Sequence, residues 1–220
     1  MTAESLPTIA ILGGTGKEGS GLALRWARNG YSVIIGSRTP EKAEQSAQEL
    51  MEKVPGTKVL GTDNVSAARM ADIVVLTVPY QSQLVTLKGV KEQLKGKILV
   101  DATARVDWRQ PRPPEGQAAG RMAQELLGPE VRVVAAFQSI PSSVLNRLEA
   151  QPDSDVLVYG DDPQARAAVV KLAQDAGLEA YEAGGLDSGL LAEGLTAQFI
   201  WMNKRYQAKA GGVRVTGIVK

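Results

Sequence analysis

Three glycines near the start of the chain have the spacing that binding of a dinucleotide pyrophosphate requires. Gly14, Gly16 and Gly19 fit the pattern G-x-G-x-x-G directly after the apolar, β-branched segment Thr8–Leu12. In this pattern the first glycine permits a tight turn, the second lets the backbone approach the pyrophosphate, and the third lets the helix pack closely on the strand. The helix N-terminus then offers free N–H groups and a positive dipole end to the phosphates. This segment therefore predicts dinucleotide binding.

The end of the second predicted strand indicates which dinucleotide is bound. A chain that binds NAD usually has an Asp or Glu about twenty residues beyond the glycines, where it binds the ribose 2′-hydroxyl. Here the strand Ser32–Gly36 is followed by Ser37 and Arg38. A guanidinium pairs with a 2′-phosphate through two hydrogen bonds and a hydroxyl adds a donor, so NADP is favoured over NAD. Thr39-Pro40 predicts a helix start, which would place Lys42 near the same phosphate or leave it as a solvated surface lysine.

The composition indicates a folded domain and excludes several kinds of chemistry. The chain has 220 residues, of which 44% are hydrophobic and 22% charged, and its net charge of +1 does not indicate a nucleic-acid partner. It contains no cysteine and no histidine, which excludes disulfides, thiolate nucleophiles, histidine bases and a conventional zinc site. We therefore expect no metal site.

Two features of the sequence bear on location. Residues 1–5 carry no basic segment of the kind that begins a secretory signal, and no apolar run reaches the length of a membrane span. We expect a cytoplasmic protein that does not interact with membranes.

Strands and helices alternate along the chain, which predicts an α/β fold with a doubly wound parallel sheet of Rossmann type. We assign residues 1–141 to this dinucleotide-binding domain and residues 142–220 to a smaller C-terminal α/β part. A helix is expected over Gln117 to Leu127 and a long one from about Leu186 to Ala208. The predicted strands after the first two are Val59-Leu60, Asp72–Val78, Lys97–Asp101, Val131–Phe137, Asp155–Gly160 and Leu178–Ala183.

Ligands of such sheets bind beyond the carboxyl ends of the strands. This rule directs attention to three turns, Thr77–Tyr80, Asp101–Arg105 and Gln138–Pro141, which should converge where a nicotinamide lies. The prolines in two of these turns are also explained by strand termination alone, and Tyr80 and Gln138 are alternatively ordinary surface residues. The candidate residues in these turns are Val78, Pro79, Tyr80, Ala102, Gln138, Ile140 and Pro141.

Apolar residues recur at helical spacing in the last predicted helix, a pattern that favours packing over a cofactor site. We expect them to lie in the core and in a subunit interface, which makes a homodimer the expected assembly. The residues are Leu190, Leu191, Leu195, Phe199 and Met202.

Several motifs together resemble those of the NADPH:coenzyme F420 oxidoreductases, over nearly the whole chain. They are Gly13–Arg25, Gly36–Arg38 with Lys42, Leu76–Pro79, Val134–Pro141, Tyr159–Asp162, Asn203–Tyr206 and Gly212–Gly217. The resemblance implies hydride exchange between NADPH and a 5-deazaflavin that carries an acidic tail. It also implies that Thr15 and the adjoining loop, including Lys17 and Glu18, hold the pyrophosphate, and that Ser37, Arg38 and Lys42 hold the 2′-phosphate.

The chain departs from this family at one position, because some members have a histidine where this sequence has Gln138. An amide can form hydrogen bonds but cannot act as an acid or base. Both cofactors carry their own electron chemistry, so the protein need only hold nicotinamide C4 about 3 to 3.5 Å from deazaflavin C5 and exclude water. We expect no catalytic side chain and a proton taken from solvent.

An apolar floor for the deazaflavin is expected from Val78, Pro79, Ile140 and Pro141. The candidates for binding its acidic tail are Arg105, Lys204, Arg205 and Arg214. Two alternatives stay open. One is an NADPH-dependent reductase of another acceptor, such as a ferric chelate, a flavin or a small carbonyl compound, and the other is a non-enzymatic module that senses NADP(H).

Overall fold

A computed structural model describes residues 6–149 and 152–218 of the chain. Over these residues eight strands form a single sheet, in the order β3-β2-β1-β4-β5-β6-β7-β8. The expectation for residues 1–5 lies outside the described residues. The strands are β1 (Ile9–Leu12), β2 (Ser32–Ser37), β3 (Lys58–Asp63), β4 (Ile73–Leu76), β5 (Ile98–Asp101), β6 (Arg132–Ala135), β7 (Val156–Gly160) and β8 (Ala180–Gly184).

The order of the first six strands is that of a doubly wound dinucleotide-binding sheet, and all of their pairings are parallel. The predicted fold class is thus confirmed. The C-terminal part continues the same sheet, because β7 pairs antiparallel with β6 and β8 pairs parallel with β7. A domain boundary at residue 141 stays a prediction.

The helices follow the strands in the predicted alternation, with differences at their ends. The long C-terminal helix was expected from Leu186, but a 3-10 turn over Leu186–Ser188 precedes it. A short helix after β6 was not predicted. The helices are α1 (Lys17–Arg28), α2 (Pro40–Lys53), α3 (Asn64–Met70), α4 (Tyr80–Leu94), α5 (Ala119–Leu127), α6 (Ser142–Leu145), α7 (Pro163–Asp175) and α8 (Gly189–Tyr206).

Both faces of the sheet are covered, which explains why its central strands are apolar without alternation. In β1, Ile9 and Ile11 face one core, while Ala10 and Leu12 face the other. Helices α1, α2 and α7 pack in the first core, and α3, α4, α5 and the start of α8 pack in the second. The sheet therefore has room for a ligand at the ends of its strands and not on either face.

A buried arginine holds the short helix α6 against α1. The guanidinium of Arg25 donates hydrogen bonds of 2.9 to 3.0 Å to the carbonyl oxygens of Val144, Leu145, Arg147 and Ala176. The last carbonyls of a helix lack intrahelical partners, so this charge satisfies the end of α6. Among the described residues, no helix combines the length and the apolar character that crossing a membrane requires.

Candidate functional site

The turn after β1 contains a left-handed residue, Gly13, with φ of +79°. The backbone N–H groups of Gly13 and Gly14 both donate to the carbonyl oxygen of Gly36, at 3.0 and 3.1 Å, and so tie the loop to β2. We expected Gly14 to permit the tight turn. The positive φ that favours glycine occurs one position earlier, at Gly13, while the N–H of Gly14 lies 3.2 Å from the carbonyl oxygen of Ile11 and closes the turn.

The three glycines of the motif differ in the space around them. A Cβ on Gly19 would lie 2.6 Å from Thr77 Oγ1 and 2.7 Å from the Cα of Gly14. A Cβ on Gly14 would lie 2.9 Å from a carbonyl oxygen of β1. At Gly16 the nearest protein atom would be a backbone oxygen at 3.4 Å. Gly14 and Gly19 are therefore required by packing, whereas the space above Gly16 is free for a ligand.

Helix α1 begins directly after Gly16, which occupies the N-cap position in an extended conformation. Because this N-cap has no side chain, no capping side chain accepts the free N–H groups of the first turn. Thr15, Gly16 and Lys17 are exposed. The loop can therefore accept an anion at the positive end of α1.

The end of β2 presents the cations that were expected to bind a 2′-phosphate. Arg38 and Lys42 are exposed, and within the described part of the chain neither head group forms an ion pair. The Oγ of Ser37 accepts the N–H of Thr39 at 3.1 Å, which leaves its hydroxyl proton free to donate. As expected, α2 begins at Pro40 with Lys42 in its first turn, although the Thr39 side chain makes no capping hydrogen bond.

A cavity of about 650 Å³ lies beyond the carboxyl ends of β4, β5 and β6, next to the first turn of α1. Predicted residues that line it are Gly16, Lys17, Glu18, Val78, Pro79, Tyr80, Ala102, Gln138, Ile140 and Pro141. The other predicted residues do not line this cavity. They lie in the glycine loop, in the first turn of α1, at the end of β2 or in the first turn of α2, and are Gly14, Thr15, Gly19, Ser37, Arg38 and Lys42.

Helix α8 contributes cavity residues that were not predicted as site residues. Thr196, Phe199, Ile200 and Asn203 line the cavity. Their spacing of i, i+3, i+4 and i+7 is that of one helix face, which the sequence pattern shows. A face that packs in the core has the same period, so the pattern does not distinguish it from a face that lines a cavity. Trp108, in the proline-rich loop after β5, also lines the cavity.

Two residues of the α8 leucine stripe do not lie in the core, so that for them a subunit interface stays the prediction. Leu191 is 66% exposed and Met202 is 38% exposed, while Phe199 faces the cavity. The buried side of α8 is instead formed by small and polar residues, Gly189, Ala192, Glu193, Thr196 and Ala197.

Gln138 is a buried residue of the cavity wall rather than an ordinary surface residue. It is 9% exposed, and its Nε2 donates to the backbone oxygen of Asp101 at 2.9 Å. Its Oε1 is buried and has no hydrogen-bond partner among the described residues. The preceding residue, Phe137, has a left-handed φ of 73° and packs edge-on against Trp26 with ring centroids 5.9 Å apart. This strained turn leaves Gln138 with an acceptor for a ligand N–H group.

Two acidic residues at the cavity have raised pKa values. Asp101 is fully buried, and burial raises its pKa to about 6 against the opposing hydrogen bonds from Thr103 and Gln83. Burial and the neighbouring Asp101 carboxylate raise the pKa of Glu18 to about 8. The Oε1 of Glu18 is buried and unpartnered within the described residues. At pH 7 the pair therefore carries close to one negative charge, with the proton on Glu18.

Most of the basic residues expected to bind an acidic tail are already engaged. The Nε of Arg105 lies 3.1 Å from the Oε2 of Glu193, which is 2% exposed. Lys204 donates to backbone oxygens of the loop after β5, and Arg214 forms an ion pair with an aspartate before β7. Of the four candidates, Arg205 is exposed and has no ion pair within the part of the chain that the structure describes.

The shape and chemistry of the cavity fit a dinucleotide end beside a planar acceptor. Its volume lies within the usual range for small-molecule sites, roughly 300 to 1,000 Å³. Val78, Pro79 and Ile140 provide apolar surface from the strand ends, and Phe199 and Ile200 provide it from α8. The unpartnered oxygen of Gln138 and the open space at Gly16 are places where a ligand would complete the packing.

Comparisons with known proteins agree with this geometry. The model of the family described as NADP oxidoreductase, coenzyme F420-dependent, matches residues 8–105. The F420-dependent NADP reductase of Methanocaldococcus jannaschii is 42% identical over 222 residues, covering 96% of this chain and 98% of that protein. The F420-dependent NADP reductase of Methanothermobacter thermautotrophicus is 40% identical over 227 residues, covering 96% and 95%. A crystal structure of a candidate F420-dependent NADP reductase from Arthrobacter sp. FB24 superposes with a TM-score of 0.82 at 25% identity, covering 96% of this chain and all of that one.

The different surroundings of the motif glycines predict different outcomes for two alanine variants. Gly16→Ala should unfold like the parent, yet bind NADPH at least about tenfold more weakly, because its Cβ occupies the ligand's space. Gly19→Ala should lose about 1–3 kcal/mol of stability through overpacking. Urea unfolding and titration of dihydronicotinamide fluorescence measure the two effects. A Gly16→Ala protein that binds NADPH as tightly as the parent contradicts the assignment.

Proposed function

The chain belongs to the family of coenzyme F420-dependent NADP oxidoreductases, and from this premise we propose that it transfers a hydride reversibly between NADP(H) and coenzyme F420. NADP and the deazaflavin F420 are then its two substrates. The proposal draws on relatives that match almost the full length of the chain and on the geometry of one cavity. The following roles of individual residues belong to the same proposal.

The observation that carries the proposal is a cavity adjoining an anion-binding loop. The pyrophosphate of NADP(H) binds over Gly16 at the N-terminus of α1, with Thr15 and Lys17 beside it. From there the adenosine half extends toward the end of β2, where Arg38 and Lys42 bind the 2′-phosphate. The nicotinamide half extends the other way into the cavity, because the turns after β4, β5 and β6 line it.

The deazaflavin occupies the remaining apolar part of the cavity. Val78, Pro79 and Ile140 contact the flat rings from the strand ends, while Phe199 and Ile200 contact them from α8. The Oε1 of Gln138 accepts an N–H of a nicotinamide or deazaflavin amide group, which orients the ring against its partner. These contacts exclude water and hold the reacting carbons close together.

For the acidic tail of the deazaflavin, the structure shifts the choice of residues away from Arg105. That guanidinium is engaged with Glu193, so it stabilises the cavity wall instead. Lys17 and Lys209 line the cavity and are exposed. We propose that these lysines, together with the exposed Arg205, attract the tail.

We further propose that the protein is a cytoplasmic homodimer. Several large apolar side chains of α8 are exposed, among them Leu191 at 66%, Trp201 at 50% and Tyr206 at 70%. A second copy of the chain that covers this face would remove them from water. A cytoplasmic location follows from substrates that are water-soluble hydride carriers.

The activity is tested by mixing the protein with NADPH and oxidised F420 and following the loss of deazaflavin absorbance. We expect stoichiometric, reversible turnover, and slower or absent reduction of ferric chelates, flavins and small carbonyl compounds in parallel reactions. Reduction of another acceptor without reduction of F420 would instead make the protein a different NADPH-dependent reductase. Tight NADPH binding without reduction of any acceptor would indicate a sensing module.

The proposed 2′-phosphate site predicts the effect of one charge removal. Arg38→Ala should weaken NADPH binding by about 10- to 100-fold, because the variant loses the charged hydrogen bonds to the 2′-phosphate. NADH has no 2′-phosphate, so its binding should be nearly unchanged. Arg28→Ala removes another exposed arginine, one that pairs with Glu149 away from the site, and should change neither affinity. Titrations of both dinucleotides measure the ratio. Equal affinities of the parent for NADPH and NADH would contradict the assignment of Ser37 and Arg38.

A further inference from the structure

The cavity wall contains one carboxyl group, that of the half-buried Glu18, which has no evident purpose in binding a ligand by shape and apolar contact. Glu18 lies in the first turn of α1 and lines the cavity, and its Oε1 is buried without a partner among the described residues. A carboxylate so close to the phosphates and rings of a dinucleotide would be repelled, and a buried one is costly unless paired. A function for the proton that it holds would explain its presence.

Glu18 is linked electrostatically to two buried carboxyl groups from other elements. The carboxyl group of Asp101, at the end of β5, acts on Glu18 electrostatically, and Glu193 of α8 acts on Asp101 in turn. Glu193 is compensated by its ion pair with Arg105. The donors to the Asp101 carboxylate among the described residues are Gln83 and Thr103, which are neutral, so its charge is the one that Glu18 experiences.

The other ionisable groups that line the cavity are two lysines and a tyrosine. Lys17 of α1 and Lys209 of the C-terminal segment are solvated cations, and Tyr80 of α4 is half-buried. In water, charges at the cavity mouth are screened, whereas the electrostatic interaction of Glu18 with the buried Asp101 is screened much less. The proton affinity of Glu18 therefore depends on its burial, on Asp101 and on the ligand that occupies the cavity.

A second residue of the same cavity has an acceptor for a ligand ring. Gln138 is nine-tenths buried, lines the same cavity and has an unpartnered Oε1, while its Nε2 donates to the backbone of Asp101. A ring carboxamide that donates to this Oε1 would hold the nicotinamide in the cavity that Glu18 lines. The charge of the ring would then act on Glu18 within the same cavity.

We propose that Glu18 is a proton reservoir coupled to the charge of the nicotinamide, protonated beside NADPH and ionised beside NADP⁺. A nearby positive charge favours the ionised form of a carboxyl group, and a neutral ring with negative phosphates favours the protonated form. The inference rests on the proposed function and deepens it, because reduction of the deazaflavin by NADPH consumes one proton.

The balance of the reaction agrees with this role. In the direction of deazaflavin reduction, the C4–H bond of the dihydronicotinamide breaks, and the hydrogen leaves with both bonding electrons as a hydride. The hydride forms the new C5–H bond of the deazaflavin. Glu18 releases the proton that neutralises the reduced deazaflavin, and the resulting carboxylate faces the new nicotinamide cation. Solvent returns the proton to Glu18 after NADP⁺ leaves. No further oxidant or reductant is needed.

The test is the number of protons exchanged on binding, measured by calorimetry at pH 7 in two buffers of different ionisation enthalpy. NADP⁺ and NADPH are each titrated into the parent, into Glu18→Gln, and into Glu149→Gln. Glutamine has the shape of the protonated acid but cannot ionise, so Glu18→Gln tests the proton without emptying the site. Glu149 is highly exposed and lies outside the cavity, so its variant is the matched control.

We expect NADP⁺ to release more protons than NADPH from the parent and from Glu149→Gln, by a difference approaching one proton. In Glu18→Gln this difference should fall to near zero. Equal proton release with both nucleotides in the parent overturns the proposal, and so does a difference that persists in Glu18→Gln.

The same titrations separate this inference from the proposed function. Heats of binding report whether NADP⁺ and NADPH bind at all, and their absence would contradict the proposed function as well as the inference. Binding of both nucleotides with no difference in proton release contradicts only the role of Glu18. Urea unfolding of Glu18→Gln at the stability of the parent or above it shows that the variant is folded.

Discussion

The close approach of α1 to the sheet at Gly19 is the contact on which the rest of the site depends. With no side chain at this position, the helix start lies against Thr77 and Gly14, where an added Cβ would lie 2.6 and 2.7 Å from their atoms. This contact directs the N-terminus of α1 to the carboxyl edge of the sheet, with Gly16 open above it. It also puts Glu18 into the cavity instead of into solvent. A wider separation would move the anion site and the buried acid together.

Around this contact the chain builds a site for positioning rather than for side-chain nucleophiles or histidine bases. The sequence has no histidine or cysteine, and the electron chemistry belongs to the two substrates. The cavity is assembled from the strand ends on one side and α8 on the other, so the C-terminal part of the chain is a structural requirement. Arg25 contributes by holding α6, whose first residue Ser142 also lines the cavity, against α1.

The sequence predicted the parallel sheet and the glycine loop because both depend on local patterns. The apolar run of β1 and the spacing of Gly14, Gly16 and Gly19 are short-range features with a known geometric purpose. The left-handed conformation of Gly13 was not predicted, since a run of two glycines does not show which one has the positive φ. The turns after β4 and β6 were found from topology alone.

The rest of the site depends on how distant elements pack, which a sequence pattern does not encode. Phe199 and Ile200 face the cavity because small residues on the adjoining face of α8 pack against the sheet, and both faces have the same helical period. Arg105 was expected to be free, yet it pairs with Glu193 from an element 88 residues away. The raised pKa of Glu18 likewise arises from burial and from the charge of Asp101, and both depend on how β5 and α1 pack in the folded chain.

The central claim is that one cavity holds both rings and that hydrogen passes directly between them. It is tested most directly with NADPH carrying deuterium at both C4 positions, reacted with oxidised F420 in ordinary water. The reduced deazaflavin is then analysed by mass spectrometry and by NMR at C5. We predict one deuterium at C5 in each product molecule, because a carbon-bound hydride moving inside a closed cavity does not exchange with solvent. Reduced deazaflavin without deuterium, with the label recovered in water, would contradict direct transfer.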